Sequence, residues 1–385
     1  MKRKICVVIT ARHSYARVRT ALEAIRDHPD LELQLVVAAS ALLDRYGNAV
    51  NVIEQEGFKI DRQVYMILEG ENLVTSAKST GLGLAELATV FNDLKPDMVV
   101  TIADRFETMA TAVAASYMNI PLAHIQGGEI TGSIDEKVRH AVTKLADIHL
   151  VSSDKAAERV VRMGEDPDRV FVTGCPSIDL ARMARGAEPR DLGATLADYG
   201  GVGSDVDLSD GYIVVLQHPV TTEYERALDH VTHTLSAVRA GEYPTLWFWP
   251  NVDAGSDGTS RGIRIYRENY PMSRVHFYKN MKPLDFLSVL INSNGIVGNS
   301  SVAIRECAYL GVPAVNIGSR QQGRDRGRNV IDVGYDVAEI RAAIDRCWAS
   351  TERATDTVYG DGDAGRNIAD VVAVADLSIE KMLRY

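Results

Sequence analysis

Short runs of consecutive apolar residues alternate along this chain with longer stretches whose apolar positions recur at helical spacing. Lys4 to Thr10 is a β-branched run, followed by a polar turn, a helical pattern from Val18 to Asp27 and a second apolar run from Leu33 to Ala39. Residues 72–94 read as a long amphipathic helix, with Val74, Ala77, Leu84, Leu87, Phe91 and Leu94 at helical spacing. Lys95-Pro96-Asp97 stops that helix, and Met98 to Ala103 reads as a strand. A helix over 107–117, a strand over 121–125, a glycine-rich turn, a helix over 134–146 and a strand over 148–152 follow. Runs such as Ile5–Ile9 and Met98–Ile102 are continuously apolar, the mark of strands covered on both faces. Strands alternating with helices predict a parallel, doubly wound sheet.

From Ala184 to Asp210 the character changes. Gly186, Pro189, Gly193, Gly200, Gly201 and Gly203 stand among acidic residues, which reads as an interdomain linker or loop. The alternation then restarts with Tyr212–Leu216, a helix over 222–240, Thr245–Trp249, a helix over 259–269 and a strand over 274–277. A helix over 283–292, Gly295–Val297, a helix over 301–309 and Ala314–Ile317 complete it, and the tail from Ile368 to Leu383 reads as helical. The expected architecture is GT-B: two Rossmann-like α/β domains with a cleft between them. The N-terminal domain spans 1–183, the linker 184–210 and the C-terminal domain 211–367. A helix in 368–385 is expected to pack back on the N-terminal domain. At 385 residues the chain exceeds what one core ordinarily serves, in keeping with two domains.

Composition changes this picture little, but it narrows the function. A net charge of −10, from 42 basic and 52 acidic residues, disfavours a nucleic-acid or anionic-membrane coat, although a local basic cluster still suffices to bind a small anion. Cys6, Cys175, Cys307 and Cys347 are scattered, without CxxC or Cys/His spacing, so neither a disulfide framework nor a zinc site is expected. The apolar run after Lys2-Arg3-Lys4 is too short for a signal peptide, and no stretch reaches the roughly 20 apolar residues of a membrane span. A soluble, cytoplasmic protein is the expectation.

In open α/β sheets ligands bind beyond the carboxyl ends of the strands, so the polar residues after each apolar run carry the chemistry. Arg12, at the start of a helix after strand one, opposes the helix dipole; it serves either an anionic ligand or the solvent. Asp104-Arg105-Phe106-Glu107 follows the strand over 98–103, and Asp104 is either a helix cap or a site acid. His124-Ile125-Gln126-Gly127-Gly128-Glu129 follows the next strand, then Asp135 in a helical first turn, where capping is again the alternative. In the second half, Gln217-His218-Pro219 and Pro250-Asn251 end apolar strands. Gly298-Asn299-Ser300-Ser301 enters a helix carrying Arg305 and Glu306, a turn whose N–H groups and hydroxyls suit a diphosphate, with ordinary capping by Ser300 as the alternative. Gly318-Ser319-Arg320 and Arg324 add guanidinium groups suited to phosphate.

Read in order, DRFE, HIQGGE, IDEKVRHAVTKLAD, TGCPSID, QHPVTTE, PNVDAGSDG, GNSSVAIRE, GSRQQGR and YGDGDAGRNI resemble the hydrolysing UDP-N-acetylglucosamine 2-epimerases of the sialic-acid pathway, over nearly the whole chain. The resemblance implies elimination of UDP from the sugar to give 2-acetamidoglucal, then hydration to N-acetylmannosamine. It implies no nicotinamide, metal or other cofactor, and a homodimer or homotetramer. It places Asp104 and Asp135 among acids implicated in the chemistry, with Glu129 and His218 as further catalytic candidates. It also places Arg12, Arg105, His218, Asn251, Ser300, Ser301, Glu306 and Arg320 at positions that hold UDP or its phosphates. The chain departs from the family pattern at Gln126, where a carboxylate often precedes the double glycine, and in a first loop reading RHSYAR in place of a form of RADY. An amide at 126 cannot act as a base, so Asp104, Asp135 or Glu129 must cover that role, or the sugar differs. The same chemistry on UDP-2,4-diacetamido-2,4,6-trideoxyglucose, the non-hydrolysing epimerases, a GT-B glycosyltransferase and a catalytically dead UDP-binding protein are the alternatives.

Overall fold

The computed structural model of the chain describes residues 2–43, 49–69, 73–102, 105–131, 134–188, 190–250 and 255–384. It falls into two compact units. One takes the chain up to Ile130, Ile134–Asp179 and everything from Tyr359 onward; the other is built on Leu180–Val358.

The first unit contains β1 (Arg3–Ile9), α1 (Arg12–Asp27), β2 (Leu31–Ala38), α2 (Ala49–Gln55), β3 (Arg62–Val64), α3 (Leu73–Leu94), β4 (Met98–Ile102) and α4 (Phe106–Tyr117). It continues through β5 (Leu122–Ile125), α5 (Ile134–Leu145), β6 (Ile148–Val151), α6 (Asp154–Arg162), β7 (Val170–Val172) and α7 (Pro176–Gly186), within which the unit boundary falls. The seven strands are parallel, in the order β3-β2-β1-β4-β5-β6-β7. Strand β1 is buried on both faces, as its unbroken apolar run predicts. Ile5, Val7 and Ile9 join one core layer with Val18, Leu22 and Ile25 of α1. Cys6 and Val8 join the opposite layer with Leu87 and Phe91 of α3 and Ala112 of α4. Each buried Val, Leu, Ile or Phe side chain among them contributes about 1.5–3 kcal/mol by leaving water, a gain that a polar side chain on either face would forfeit.

The second unit contains α8 (Leu192–Ala197), β8 (Val202–Gly203), β9 (Ile213–Leu216), α9 (Ala227–Gly241), β10 (Thr245–Phe248), α10 (Ser256–Asn269), β11 (Val275–Tyr278) and α11 (Pro283–Ile291). Then come β12 (Gly295–Gly298), α12 (Ser301–Ile304), α13 (Glu306–Leu310), β13 (Ala314–Ile317), β14 (Val330–Val333) and α14 (Val337–Ala349). Its sheet runs β14-β13-β12-β9-β10-β11-β8, parallel except for β8. Here β9 is the strand buried on both faces: Val214 packs with Leu246, Ile296 and Ala314, while Ile213 and Val215 pack with Val231, Val297 and Ile344. GT-B, two parallel-sheet α/β halves, is therefore the architecture.

The structure departs from the sequence reading in several places. Residues 184–210, read as linker or loop, carry α8, capped by Asp191 Oδ1 accepting from Ala194 N at 2.8 Å, and the antiparallel edge strand β8. Helix α1 starts at Arg12, as the polar residues after strand one predict, and so runs ahead of the apolar periodicity that begins at Val18. The tail is helical only over α15 (Ala364–Val374), and 375–384 runs without helix. Bonds to the rest of the first unit replace helical ones there: Arg169 donates to Ser378 O at 3.1 Å, Arg384 N to Gly164 O at 3.0 Å. The elements α2, β3, α6, β7, α7, β14 and α14 lie in stretches where the sequence pattern predicts none.

Two quoted motifs turn out to fasten the returning chain. Cys175 N donates to Tyr359 O at 2.8 Å, and a Cβ on Gly360 would lie 3.0 Å from Gly174 Cα, so glycine at both positions permits the contact. The buried Asp179 carboxylate accepts from Ala364 N (2.9 Å), Gly365 N (2.7 Å) and Thr20 Oγ1 (2.7 Å), supplying α15 with the N-terminal cap that its own Asp363 does not. Arg3 then donates to Val372 O and Ala375 O at the other end of α15. Among the described residues no helix is long and apolar enough to cross a membrane, and no three His, Cys, Asp or Glu side chains group as a metal site requires.

Glu165, almost fully buried, holds the tail through Lys381 Nζ at 2.5 Å while also meeting Lys144 Nζ at 2.5 Å and His149 Nε2 at 2.9 Å. Burial opposes ionisation, but these donors prevail and bring its pKa down from 4.5 to about 2. A depressed carboxylate stabilises the fold fully above its unfolded pKa and loses that contribution as pH falls from 4.5 towards 2. Proteolytic release of residues 375–384 is therefore expected to rise steeply over that window. Glu165→Gln should release the tail at pH 7 and lower stability by roughly 3 kcal/mol, as breaking a buried pair does. A variant with wild-type proteolysis at pH 7 would show that the cluster does not hold the tail.

Candidate active site

Each sheet has a switch point where the strand order reverses beside one central strand, and in open α/β sheets this is where ligands sit. In the first sheet it lies between β1 and β4, in the second between β9 and β12. Arg12 and Arg105 follow the two switch-point strands of the first sheet, and His218, Ser300 and Ser301 those of the second; Gln126, Glu129 and Asp135 follow β5, and Arg320 follows β13.

In the first unit, Arg12 is exposed at the start of α1, where neither a capping side chain nor a first-turn acid offsets the helix dipole. Asp104 lies outside the described residues. Arg105 forms the N-cap of α4, and its guanidinium faces the fully buried Glu107 carboxylate, with Nε–Oε2 3.2 Å and Nη2–Oε1 3.3 Å. Glu107 thus sets the direction of Arg105, a pairing hidden in the quoted DRFE.

After β5 the chain turns sharply. Gln126 adopts φ +66° and Gly128 φ +74°, and a Cβ on Gly128 would meet Ala156 O at 2.3 Å. A buried non-glycine residue in the left-handed region stores strain, which tends to mark functional loops. Gln126 Nε2 approaches Cys175 Sγ at 3.2 Å, so the amide is turned into the unit. Glu129 is also buried; its Oε1 accepts from Ser152 Oγ at 2.6 Å, and its backbone carbonyl accepts from Arg139 Nη1 at 2.8 Å. Asp135 occupies the first turn of α5, half-buried, four residues before Arg139 and therefore on the same helix face. Arg139 reaching Glu129 brings the Asp135 face of α5 to the Gln126–Glu129 turn.

In the second unit the candidates converge more tightly. Gly298, at φ +135°, lets β12 approach β9 so closely that a Cβ would lie 2.2 Å from Leu216 O. His218, after β9, is bonded through its backbone to the Asn299 side chain: His218 N donates to Oδ1 at 2.7 Å, and Nδ2 donates to His218 O at 2.8 Å. Ser300 caps α12, its Oγ accepting from Val302 N at 3.4 Å, and Ser301 opens that helix half-buried. Arg320, after β13, donates from Nη1 to Asn299 O at 3.1 Å. Glu306 opens α13 past a kink at Arg305. His218, Ser300, Ser301 and Arg320 thus gather around one residue; Asn251 lies outside the described residues. Burial, with the Arg320 charge adding to it, brings the His218 pKa down from 6.5 to about 3. The ring is neutral at pH 7, so the positive charge of this cluster comes from Arg320.

Sequence reasoning quoted Asn299 and Glu223 without giving either a task. Glu223 accepts from Ser319 Oγ at 2.5 Å, tying the loop before Arg320 to the segment after β9. Both contacts join strand ends far apart in sequence, and no local spacing announces them.

The sequence model described as UDP-N-acetylglucosamine 2-epimerase matches residues 23–373. A Legionella pneumophila UDP-N,N'-diacetylbacillosamine 2-epimerase (hydrolyzing) is 31% identical over 94% of this chain and 93% of its own length. The Escherichia coli polysialic acid biosynthesis protein P7 is 32% identical over 93% of this chain and 90% of its own. Among solved structures, the Neisseria meningitidis UDP-GlcNAc 2-epimerase bound to UDP-GlcNAc superposes with a TM-score of 0.79 at 16% identity, covering 96% of this chain and 99% of that one. At that identity the likeness is one of fold.

The state of His218 can be checked directly. As pH falls below 6.5 the unfolded chain takes up a proton that the folded His218 does not, so this residue destabilises the fold progressively down to about pH 3. Imidazole nitrogen NMR of the ligand-free protein should accordingly show His218 neutral at pH 5.5. A midpoint near 6.5 would mean the ring is open to water.

Proposed function

We propose, from the premise that this chain belongs to the UDP-N-acetylglucosamine 2-epimerase family, that it is a hydrolysing 2-epimerase of a UDP-linked 2-acetamido sugar. The observation that carries this reading is the gathering of His218, Ser300, Ser301 and Arg320 at the switch point of the second sheet. Hydroxyls, a neutral imidazole and one guanidinium suit a diphosphate that must be both held and stabilised as it departs.

The sugar's C2 proton has no adjacent carbonyl to acidify it, so its removal is coupled to loss of the leaving group. In the proposed reaction a carboxylate takes the proton from C2, and the C–H electron pair forms the C1–C2 double bond. The C1–O bond breaks with its pair going to UDP. Water then adds across the double bond of the 2-acetamidoglucal, hydroxyl to C1 and proton to the opposite face of C2, giving N-acetylmannosamine from UDP-N-acetylglucosamine. Asp104 and Asp135 are the proposed acids. Gln126 has no ionisable group, and Glu129, engaged by Ser152 and held through its backbone by Arg139, supports the turn beside Asp135. Arg12, Arg105, Asn251 and Glu306 are assigned to UDP.

A second substrate has specific support. The relative named for UDP-N,N'-diacetylbacillosamine matches this chain as fully as the polysialic acid protein does, and Gln126 departs from the N-acetylglucosamine pattern. The same elimination and hydration on UDP-2,4-diacetamido-2,4,6-trideoxyglucose would require no different residue roles.

Incubation with each UDP-sugar separately in deuterium oxide, without an acceptor and followed by NMR, tests the reading. The expected products are UDP and free N-acetylmannosamine (or its 4-acetamido counterpart) deuterated at C2. A product still linked to UDP would overturn the hydrolysing assignment, and no turnover of either sugar would overturn the reading itself. Asp104→Asn and Asp135→Asn are each expected to lower kcat by about 100-fold or more, the range of a lost general acid or base, with UDP affinity changed only a few-fold. A near-normal rate in either variant removes that residue from the chemistry.

A further inference from the structure

We infer that Asn299 is a positioning residue that sets the geometry of UDP binding by holding three strand ends of the second unit together; the inference rests on the UDP-binding reading above. Asn299 is fully buried, and its polar groups are all used. Its N–H donates to Leu216 O at 3.2 Å, its side-chain oxygen accepts from His218 N at 2.7 Å, and its side-chain nitrogen donates to His218 O at 2.8 Å. Its carbonyl accepts from Arg320 Nη1 at 3.1 Å and from Gln321 Nε2 at 2.8 Å. The ends of β9, β12 and β13 are thereby tied at one residue, and each carries a group assigned to UDP: His218, Ser300 with Ser301, and Arg320.

The amide suits this task in a way other side chains do not. The main chain of a residue presents one donor and one acceptor, and the Asn299 amide meets those of His218 with the complementary pair. Both bonds lie in a buried setting, where an unmet partner is costly and a small displacement is passed on instead of being absorbed by water. Removing the brace frees His218 to shift relative to Ser300 and Arg320, which loosens a three-sided grip on one anion.

The same strand supplies its own control. At the opposite end of β12, Asn294 also braces β9: its N–H donates to Tyr212 O at 2.8 Å, and its Oδ1 accepts from Tyr212 N at 3.0 Å. Asn294 precedes β12 and Tyr212 precedes β9, so this brace sits at the amino ends of the strands, opposite the ends that carry His218, Ser300 and Ser301. If an asparagine brace between these two strands acts only on stability, neither position affects UDP affinity.

The experiment compares Asn299→Asp, Asn299→Ser and Asn294→Ser with the wild type, measuring UDP affinity by calorimetry and stability by thermal unfolding. Asn299→Asp keeps the volume and the bond from His218 N, but sets a carboxylate oxygen against His218 O. Both Asn299 variants are expected to bind UDP at least tenfold more weakly, while Asn294→Ser loses thermal stability and binds UDP within twofold of wild type. Wild-type affinity in either folded Asn299 variant, or an equal loss in Asn294→Ser, overturns the inference. If neither Asn299 variant folds while Asn294→Ser does, the residue belongs to the fold and the inference is again overturned. A wild-type protein that does not bind UDP removes the functional reading and the inference with it, an outcome distinct from a wild type that binds and variants that bind equally well.

Discussion

The burial of β1 and β9 on both faces is the constraint from which the rest of the structure follows. A strand covered by helices on each side has no room for a polar side chain along its length, so the chemistry is displaced to the residues just beyond its carboxyl end. In the first unit that rule exposes Arg12 at the uncapped start of α1. In the second it places His218 beyond β9, where the equally buried β12 brings Asn299 and Ser300 alongside. Parallel pairing makes this possible, because it brings the carboxyl ends of neighbouring strands to one edge.

Within that edge the two units differ in kind. The second gathers hydrogen-bond donors with little net charge: a neutral imidazole, two hydroxyls and Arg320, with the His218 backbone and the Arg320 guanidinium both bonded to Asn299. The first gathers ionisable groups around a strained turn, where Gln126 and Gly128 adopt positive φ and Glu129 is held by Ser152 and by Arg139 from α5. A rigid array of donors suits stabilisation of a departing diphosphate, since dipoles already in place need not reorganise as charge develops. Acids near a strained loop suit proton transfer, which depends on placing one carboxylate against one carbon.

Other motif residues serve the fold. TGCPSID and YGDGDAGRNI meet within the first unit, where Asp179 caps α15 and Gly174 packs on Gly360. The chain that leaves the first unit within α7 therefore returns to it, with Arg3 from β1 bonding the far end of α15. The Glu165 cluster then fixes the last ten or so residues, with one buried carboxylate shared among Lys144, Lys381 and His149. The adjacency of Cys175 and Gln126 links the same turn to the QGGE loop, so the fastening of the tail and the shape of that loop share a wall.

The sequence by itself determined the two α/β runs, the strands around which each unit is built and the residues standing at their ends. These are local properties: an apolar run long enough for a buried strand, and a polar turn after it, are read within a window of ten residues. It also determined the family, through motifs kept in order along the chain. The tertiary structure alone decided what those residues hold. Asn299 bridges His218 across 81 positions of sequence, Asp179 caps a helix that begins 185 residues later, and Glu165 is met by a lysine from the tail. It also overrode the helical pattern of the tail, where Arg169 donates to Ser378 O and Gly164 O accepts from Arg384 N in place of helical bonds. Periodicity records which face of an element is buried. It does not record which distant donor will meet a buried acceptor, and in this protein that pairing shapes the site.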